Sequence, residues 1–350
     1  MNTDRMLNVG IYISTKWEKI PPRGVANGLF KNAKANNINL FYFYSEDINK
    51  QTKTINGHFF DDDGKLYHKE VEYPDVIDNH GQILRTRYKD LYDCAKQTRP
   101  KYYPSKSEKY DLFMAETTDT RIKNMMIPLS LCETFADFES ALEKYGDNVV
   151  FKPNKGFKGR GVVKLTKKDD SFYVSTDERK KKFDYDGWKK YYEDNIAGKL
   201  YVMQPYFGSV TPEGAPFHIR ILAKKGVNGV PLTSMYSRMG KTKGLTSNGL
   251  NAENIDIFLK REFPETASQI KHDLDNIAKD FPKLLDDLFD NNLFDMGIDV
   301  GIEHKDGTYK IGIFEVNTAS VGTPDFLADF NTEASFGYYR HLASTEGACK

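Results

Sequence analysis

Cysteine is scarce in this sequence: Cys94, Cys132 and Cys349 are the only three, and they lie far apart. That excludes a disulfide framework and a zinc site built on paired cysteines; the three are read as ordinary buried or tail thiols. Net charge is also missing, since 50 lysines and arginines balance 50 aspartates and glutamates. Without a global positive field, neither nucleic acid nor a membrane surface is an expected partner, and any charge that matters is local. No apolar run approaches membrane-spanning length. The N-terminal Met1-Asn-Thr-Asp-Arg-Met-Leu-Asn-Val-Gly10 also lacks a basic segment leading into an apolar one, so the expectation is a cytoplasmic protein. Internal repeats and low-complexity tracts are absent too.

What is present reads as alternating elements. At 350 residues, two or three packed units are expected. The first, residues 1–100, has strand-like Val9-Gly-Ile-Tyr-Ile13, a helical pattern near Val25, Leu29 and Ala33, and the aromatic strand Ile38-Asn-Leu-Phe-Tyr-Phe-Tyr44. Asp61-Asp-Asp-Gly64 marks a turn between two short extended segments. Val76-Ile77 predicts a further strand before a helix carrying Leu84, Tyr88, Leu91 and Ala95. This is a small α/β domain.

A second unit, 101–206, starts where Pro100 and Pro104 break the preceding helix and Ser105 can cap a new one toward Ala115. It continues through a short amphipathic helix from Phe135 to Tyr145, the strand Val149-Val-Phe-Lys152 and a strand from Leu200 to Tyr206. The charged run from Asp177 to Lys190 is read as a solvated loop and helix face. A third unit, 207–350, has strands near 217–223 and 233–238, and a helix with Ile270, Leu274, Ile277, Phe281, Leu284 and Leu288 on one side, with a kink expected at Pro282. Strands at 297–302 and 310–317 close it.

Three groups of residues carry chemistry. Lys152-Pro-Asn-Lys-Gly-Phe-Lys-Gly-Arg-Gly161 interleaves Gly156, Gly159 and Gly161 with Lys155, Lys158 and Arg160. Glycines let backbone amides approach phosphate closely, and the cations neutralise it. Walker A and dinucleotide loops open into a helix, whereas here Val162-Val-Lys-Leu165 is a strand pattern. The loop is therefore a hairpin able to fold over phosphates; the alternative is a plain flexible hairpin.

The second group is Asp299 on one strand and Glu315-Val-Asn317 on the next. Residues two apart share a face, so Glu315 and Asn317 point the same way. A two-residue Asp306-Gly307 loop alone sets Asp299 opposite Phe314; a longer loop or a bulge sets it opposite Glu315, which is the arrangement expected. Two carboxylates and an amide oxygen suit magnesium held with phosphates, and the lack of histidine and cysteine argues against zinc. An exposed hairpin with ordinary charge pairs is the alternative.

Arg220 and Arg238 form the third group, in strand-like Phe217-His-Ile-Arg-Ile221 and Met235-Tyr-Ser-Arg-Met239. Arginine suits bidentate phosphate or carboxylate contacts, although structural ion pairs are common. His218 is read as structural.

In this order the pieces resemble the ATP-grasp superfamily, and more closely its branch typified by the spore-coat-associated YheC/YheD proteins of bacilli. The resemblance runs from about Pro74 to Gly322. It rests on the Lys152 to Gly161 loop, Phe217-His-Ile-Arg220, Ser247-Asn-Gly249, Gly297-Ile-Asp-Val-Gly301 and Phe314-Glu-Val-Asn317. It implies an ATP-grasp fold with a preceding N-terminal α/β domain, and ATP and Mg2+ as cofactors. Lys152, with Lys106 as the earlier lysine, would contact the nucleotide, and the loop of Lys155, Gly156, Gly159, Arg160 and Gly161 would close over phosphates. Gln204 and Tyr206 would sit where adenine packs. Arg220 and Arg238 would face the transferred phosphoryl group or acceptor, and Asp299, Glu315 and Asn317 would hold magnesium.

The branch usually has an acid where His218 stands, and Thr-Ala-Ser-Val-Gly-Thr-Pro after Asn317 keeps part of the branch's pattern. Both differences lie near the implied acceptor site. The implied activity is a carboxylate-amine ligase: a small-molecule or peptide-like carboxylate becomes an acyl phosphate, and an amine then displaces phosphate. Alternatives are a nucleotide-binding coat or envelope protein without turnover, and a kinase of the same fold. A homodimer is left open.

Overall fold

The structure, a computed structural model, describes residues 5–13, 29–79, 87–99, 109–156, 159–241, 244–247, 251–318 and 321–345. The first sheet comprises β1 (Leu7–Tyr12), β2 (Ile38–Phe43), β3 (Ile48–Asn49), β4 (Thr54–Phe60), β5 (Leu66–Glu72), β6 (Val76–Asn79) and β7 (Lys96–Gln97). Its order is β3-β4-β2-β1-β6-β7, with β5 paired to β4. β1 runs parallel to β2 and β6, as an α/β sheet with crossover connections requires. Alternate side chains serve two cores: Val9, Ile11, Leu40 and Tyr42 face one, and Tyr12, Phe41 and Phe43 the other. That two-sided burial explains why Ile38 to Tyr44 reads as an unbroken apolar run.

The second sheet contains β8 (Ser130–Cys132), β9 (Asn148–Pro153), β10 (Val163–Lys168), β11 (Ser171–Ser175), β12 (Lys180–Phe183) and β13 (Tyr201–Pro205), ordered β12-β11-β10-β9-β13-β8. The helix Phe135–Tyr145 starts at Thr134, whose hydroxyl and the Asp137 carboxylate satisfy each other's backbone amides. Phe138, Phe151, Trp188 and Tyr192 fill this core, each worth about 1.5–3 kcal/mol on burial. One expectation is corrected here. The charged run after Asp177 does enter a helix, Tyr185–Asn195, but the part read as loop contains the strand β12. Lys180, Lys181 and Lys182 are exposed on an edge strand, where lysines discourage further pairing and mask the strand pattern.

The third sheet holds β14 (Phe217–Lys225), β15 (Pro231–Met239), β16 (Asn251–Asn254), β17 (Asp295–Lys305) and β18 (Thr308–Asn317), in the order β16-β15-β14-β17-β18. Ile219, Ile221, Ile298, Val300 and Ile302 point to a core shared with Ile270, Leu274, Phe281 and Leu285 of the helix Ala267–Leu288. That helix is continuous through residue 282 and buries Pro282. The sheet's opposite face carries His218, Arg220 and Asp299.

Packing crosses the boundaries expected from the sequence in two places. The helices Lys109–Glu116 and Thr120–Met125 send Leu112 and Ile122 into the third sheet's core. The helix Ala328–Ser344 sends Phe336 and Tyr339 into the first sheet's core. A buried ionic cluster joins the same regions: Arg99 Nη1 donates to Asp78 Oδ1 at 2.8 Å, and Arg99 Nη2 lies 2.9 Å from Asp295 Oδ1. The Tyr339 hydroxyl donates to Asp78 Oδ2 at 2.7 Å.

Candidate active site

Strand register builds the acidic group. Arg220 on β14 is opposite Asp299 on β17, and Asp299 is opposite Glu315 on β18, so the three form a row across the sheet. The turn between β17 and β18 is the two-residue Asp306-Gly307, both at positive φ (52° and 73°), as a tight hairpin demands. A bulge between Asp299 and Val300 then shifts the pairing from Phe314 to Glu315. The extra residue is Phe314. A Cβ at Gly301 would lie 2.5 Å from the Phe314 ring, so glycine there makes room for the bulged side chain. Asn317 is opposite Gly297, and its Nδ2 donates to the Gly297 carbonyl at 3.4 Å, which leaves Oδ1 as its acceptor atom.

A cavity of about 430 Å³ separates this row from the second sheet. Asp299, Glu315, Asn317, Arg220, Arg238 and His218 line its floor; Lys152, Gly156, Gly159, Arg160, Gln204 and Tyr206 line the facing wall. Its apolar lining includes Leu112, Phe113, Met126, Ile127, Val150, Phe207 and Phe314. Lys155 is exposed, and neither it nor Gly161 lines the cavity. Gly161 has φ +74°, and a Cβ there would meet the Pro153 ring at 2.8 Å; its place is in the turn of the glycine-rich hairpin. Lys106, Lys158 and residues 248–249 lie outside the described residues.

The charges are mutually compensated. Arg220 grips Asp299 through Nε and through Nη2, the latter at 2.8 Å. Burial pushes the Asp299 carboxyl up, but Arg220 and His218 outweigh it and hold it well below the usual carboxylate range. Arg220 is thus already engaged with a site carboxylate, whereas the sequence points it at the transferred phosphoryl group or acceptor. Lys109 Nζ donates to Glu315 Oε2 at 3.0 Å. For Glu315 too, burial is opposed by Lys109 and Lys152, and the balance lies below the ordinary value. Lys152 sits with Nζ 5.4 Å from the Phe314 ring centroid; burial lowers its affinity for the proton, partly offset by Glu315.

Sequence reading missed Lys109. Its helix is pinned to the glycine loop, because Asn154 accepts from the Lys109 amide through its carbonyl (3.1 Å) and from the Tyr110 amide through Oδ1 (2.9 Å). The available signal was that Lys109, Leu112, Phe113 and Glu116 share one helical face, and all four line the cavity. His218 is held from both sides: Nδ1 is 2.6 Å from Ser247 Oγ, and Nε2 is 3.3 Å from Asp299 Oδ1.

Glu116 is 1% exposed, and Oε1 has no hydrogen-bond partner. Burial first, then the nearby Glu315, raises its carboxyl well above 4.5. A group whose folded value is raised contributes fully to stability below its unfolded value, and that contribution is lost as pH climbs through the folded one. Glu116→Gln is therefore expected to gain thermal stability over wild type as pH rises, more at about pH 8 than at about pH 5. Equal melting shifts at both values would show that the carboxyl is ionised throughout.

Antiparallel sheets facing each other across a cavity, with a glycine-rich hairpin on one side and an acidic strand pair on the other, define an ATP-grasp protein. The chain belongs to the YheC/D-like ATP-grasp family, whose family model matches residues 100–336. Solved structures agree on the fold. The ADP complex of purK, N5-carboxyaminoimidazole ribonucleotide synthetase, is similar at TM-score 0.52 and 12% identity, covering 97% of this chain and 77% of that one. N5-carboxyaminoimidazole synthetase from Staphylococcus aureus gives 0.53 at 9% identity, with 98% and 79% covered. The corresponding synthase from Aspergillus clavatus, in complex with ADP and its ribonucleotide, gives 0.54 at 9%, with 95% and 77% covered. At these identities the likeness is one of fold. No curated protein matches the sequence. Among the described residues no helix is long and apolar enough to cross a membrane.

Proposed function

We propose that the protein is an ATP- and Mg2+-dependent carboxylate-amine ligase acting on a small-molecule or peptide-like carboxylate. The observation that carries this reading is the row Arg220, Asp299, Glu315, facing Lys152 across one cavity. Such a set can align two anions and neutralise charge moving between them without a protein nucleophile. Relatives of the same fold are solved with ADP, which supports the nucleotide.

The apolar lining residues suit the base, and Lys152, Arg160 and the glycines of the hairpin suit the phosphates. Asp299, Glu315 and Asn317 offer only hard oxygen donors, with the Asn317 amide nitrogen already committed to Gly297; this fits magnesium. Asp299, Glu315 and Asn317 would hold the metal, which would supply positive charge against the phosphates. Lys152 and Lys109 flank Glu315 and place positive charge beside the transferring group. An oxygen of the substrate carboxylate attacks the γ-phosphorus and the bond to the bridging oxygen breaks, releasing ADP. The nitrogen of an amine then attacks the acyl carbon, phosphate leaves, and the nitrogen loses its proton. Arg238, opposite His218 in the sheet register and lining the cavity, is assigned to the acceptor carboxylate or phosphoryl group.

The test is Mg2+-dependent ADP release with amino acids and short peptides offered singly and in pairs. ADP formation that needs both a carboxylate and an amine, with an amide product by mass, supports the ligase. ADP formation with a phosphorylated product and no amine requirement supports a kinase instead, and tight nucleotide binding with no ADP from any pair supports the non-catalytic reading.

A further inference from the structure

The two sides of the cavity are also tied together by side-chain hydrogen bonds between the second and third sheets. The turn of residues 176–179, between β11 and β12, belongs to the second sheet. Its Asp177 reaches the segment 244–247 that follows β15 in the third. Asp177 Oδ1 accepts from the amides of Leu245 (2.7 Å) and Thr246 (3.1 Å), and Oδ2 accepts from the Thr246 hydroxyl at 2.8 Å. The turn is itself braced, because Thr176 Oγ1 accepts from the amides of Glu178 (3.3 Å) and Arg179 (3.1 Å).

The grasped segment is part of the site. Residues 244–247 line the cavity, and Ser247 is the residue bonded to His218, which stands against Asp299. A continuous polar path therefore runs from a surface turn of one lobe to a carboxylate in the other. Asp177 itself is exposed and contributes to neither core. A carboxylate accepting three hydrogen bonds from a neighbouring lobe, while outside either core, is placed to act on the relation between the lobes.

We propose that Asp177 is a positioning residue, a latch that holds the two lobes together over bound nucleotide and seats Ser247 and His218 against Asp299. This rests on the reading of the cavity as a nucleotide site. Closing the latch encloses the phosphates between the glycine-rich hairpin and residues 244–247, and nucleotide release requires its hydrogen bonds to break.

The test uses the full chain, a fluorescent ADP analogue with Mg2+, and displacement by excess ADP. Asp177→Ala is expected to speed dissociation about tenfold, with an unchanged melting temperature. Asp177→Asn keeps an oxygen for the two amides and offers an NH2 to the Thr246 hydroxyl, so its dissociation stays near wild type. Thr246→Val gives a smaller acceleration, and combining it with Asp177→Ala adds nothing further. Those results support the latch. Wild-type dissociation from Asp177→Ala, with nucleotide still bound, overturns it and leaves the nucleotide site standing. A wild-type protein that binds no nucleotide overturns the nucleotide reading and the latch with it.

Discussion

Glu315→Ala is expected to lower Mg2+-dependent ADP formation by about a hundredfold to a thousandfold, the usual cost of removing a charge-stabilising group from a reaction centre. Three things go at once. One of the carboxylates proposed for the metal is lost, the partner of Lys109 at 3.0 Å is lost, and Lys152 loses the charge that favours its protonated form. Burial already lowers the proton affinity of Lys152, with Glu315 opposing that shift. In the variant the lysine releases its proton at lower pH, and residual activity declines earlier on the basic side. Steady-state rates of wild type, Glu315→Gln and Glu315→Ala across pH check both statements. Glutamine keeps the shape without the charge and should behave like alanine. Turnover within about threefold of wild type would remove Glu315 from the chemistry.

Arg99→Ala is expected to be the most destabilising single change, by about 3–5 kcal/mol, because it leaves two buried carboxylates without their shared cation. Asp78 and Asp295 both face Arg99, whose side chain is 12% exposed and whose guanidinium lies 4.7 Å from the Phe294 ring centroid. Asp78 belongs to the first sheet and Asp295 to the third, so the loss falls on the junction between them. Urea unfolding should then show an early transition in which the first sheet and the helix Ala328–Ser344 come apart, while the fold around Trp188 persists. Adding Asp78→Asn and Asp295→Asn to Arg99→Met removes the three charges of this cluster, leaves the neighbouring Lys224 bonded to Asn331, and should recover part of the loss. A single transition at the wild-type midpoint for Arg99→Ala would show that the cluster contributes little.

Much of this was readable along the chain, since it depends on neighbours in sequence. The unbroken aromatic run announced β2, and glycines among cations followed by a strand pattern announced the hairpin. Glu315 and Asn317 share a face because residues two apart on a strand must. That a two-residue turn alone would misplace Asp299 was arithmetic, and of the longer loop and the bulge that could correct it the register carries the bulge. Edge strands β12 and β16 were invisible, because an exposed or charged edge does not display the alternation that burial imposes.

What required the folded chain were the pairings between distant segments. Lys109 meets Glu315 across 206 residues, Tyr339 meets Asp78 across 261, and Asp177 meets Thr246 across 69. None has a local signature, because an ion pair or hydrogen bond between lobes is set by how sheets pack and not by any spacing in sequence. Arg220 shows the same limit within one sheet. Its residue type announced an anion partner, but only the lateral register of β14 against β17 decided that Asp299 occupies its fork.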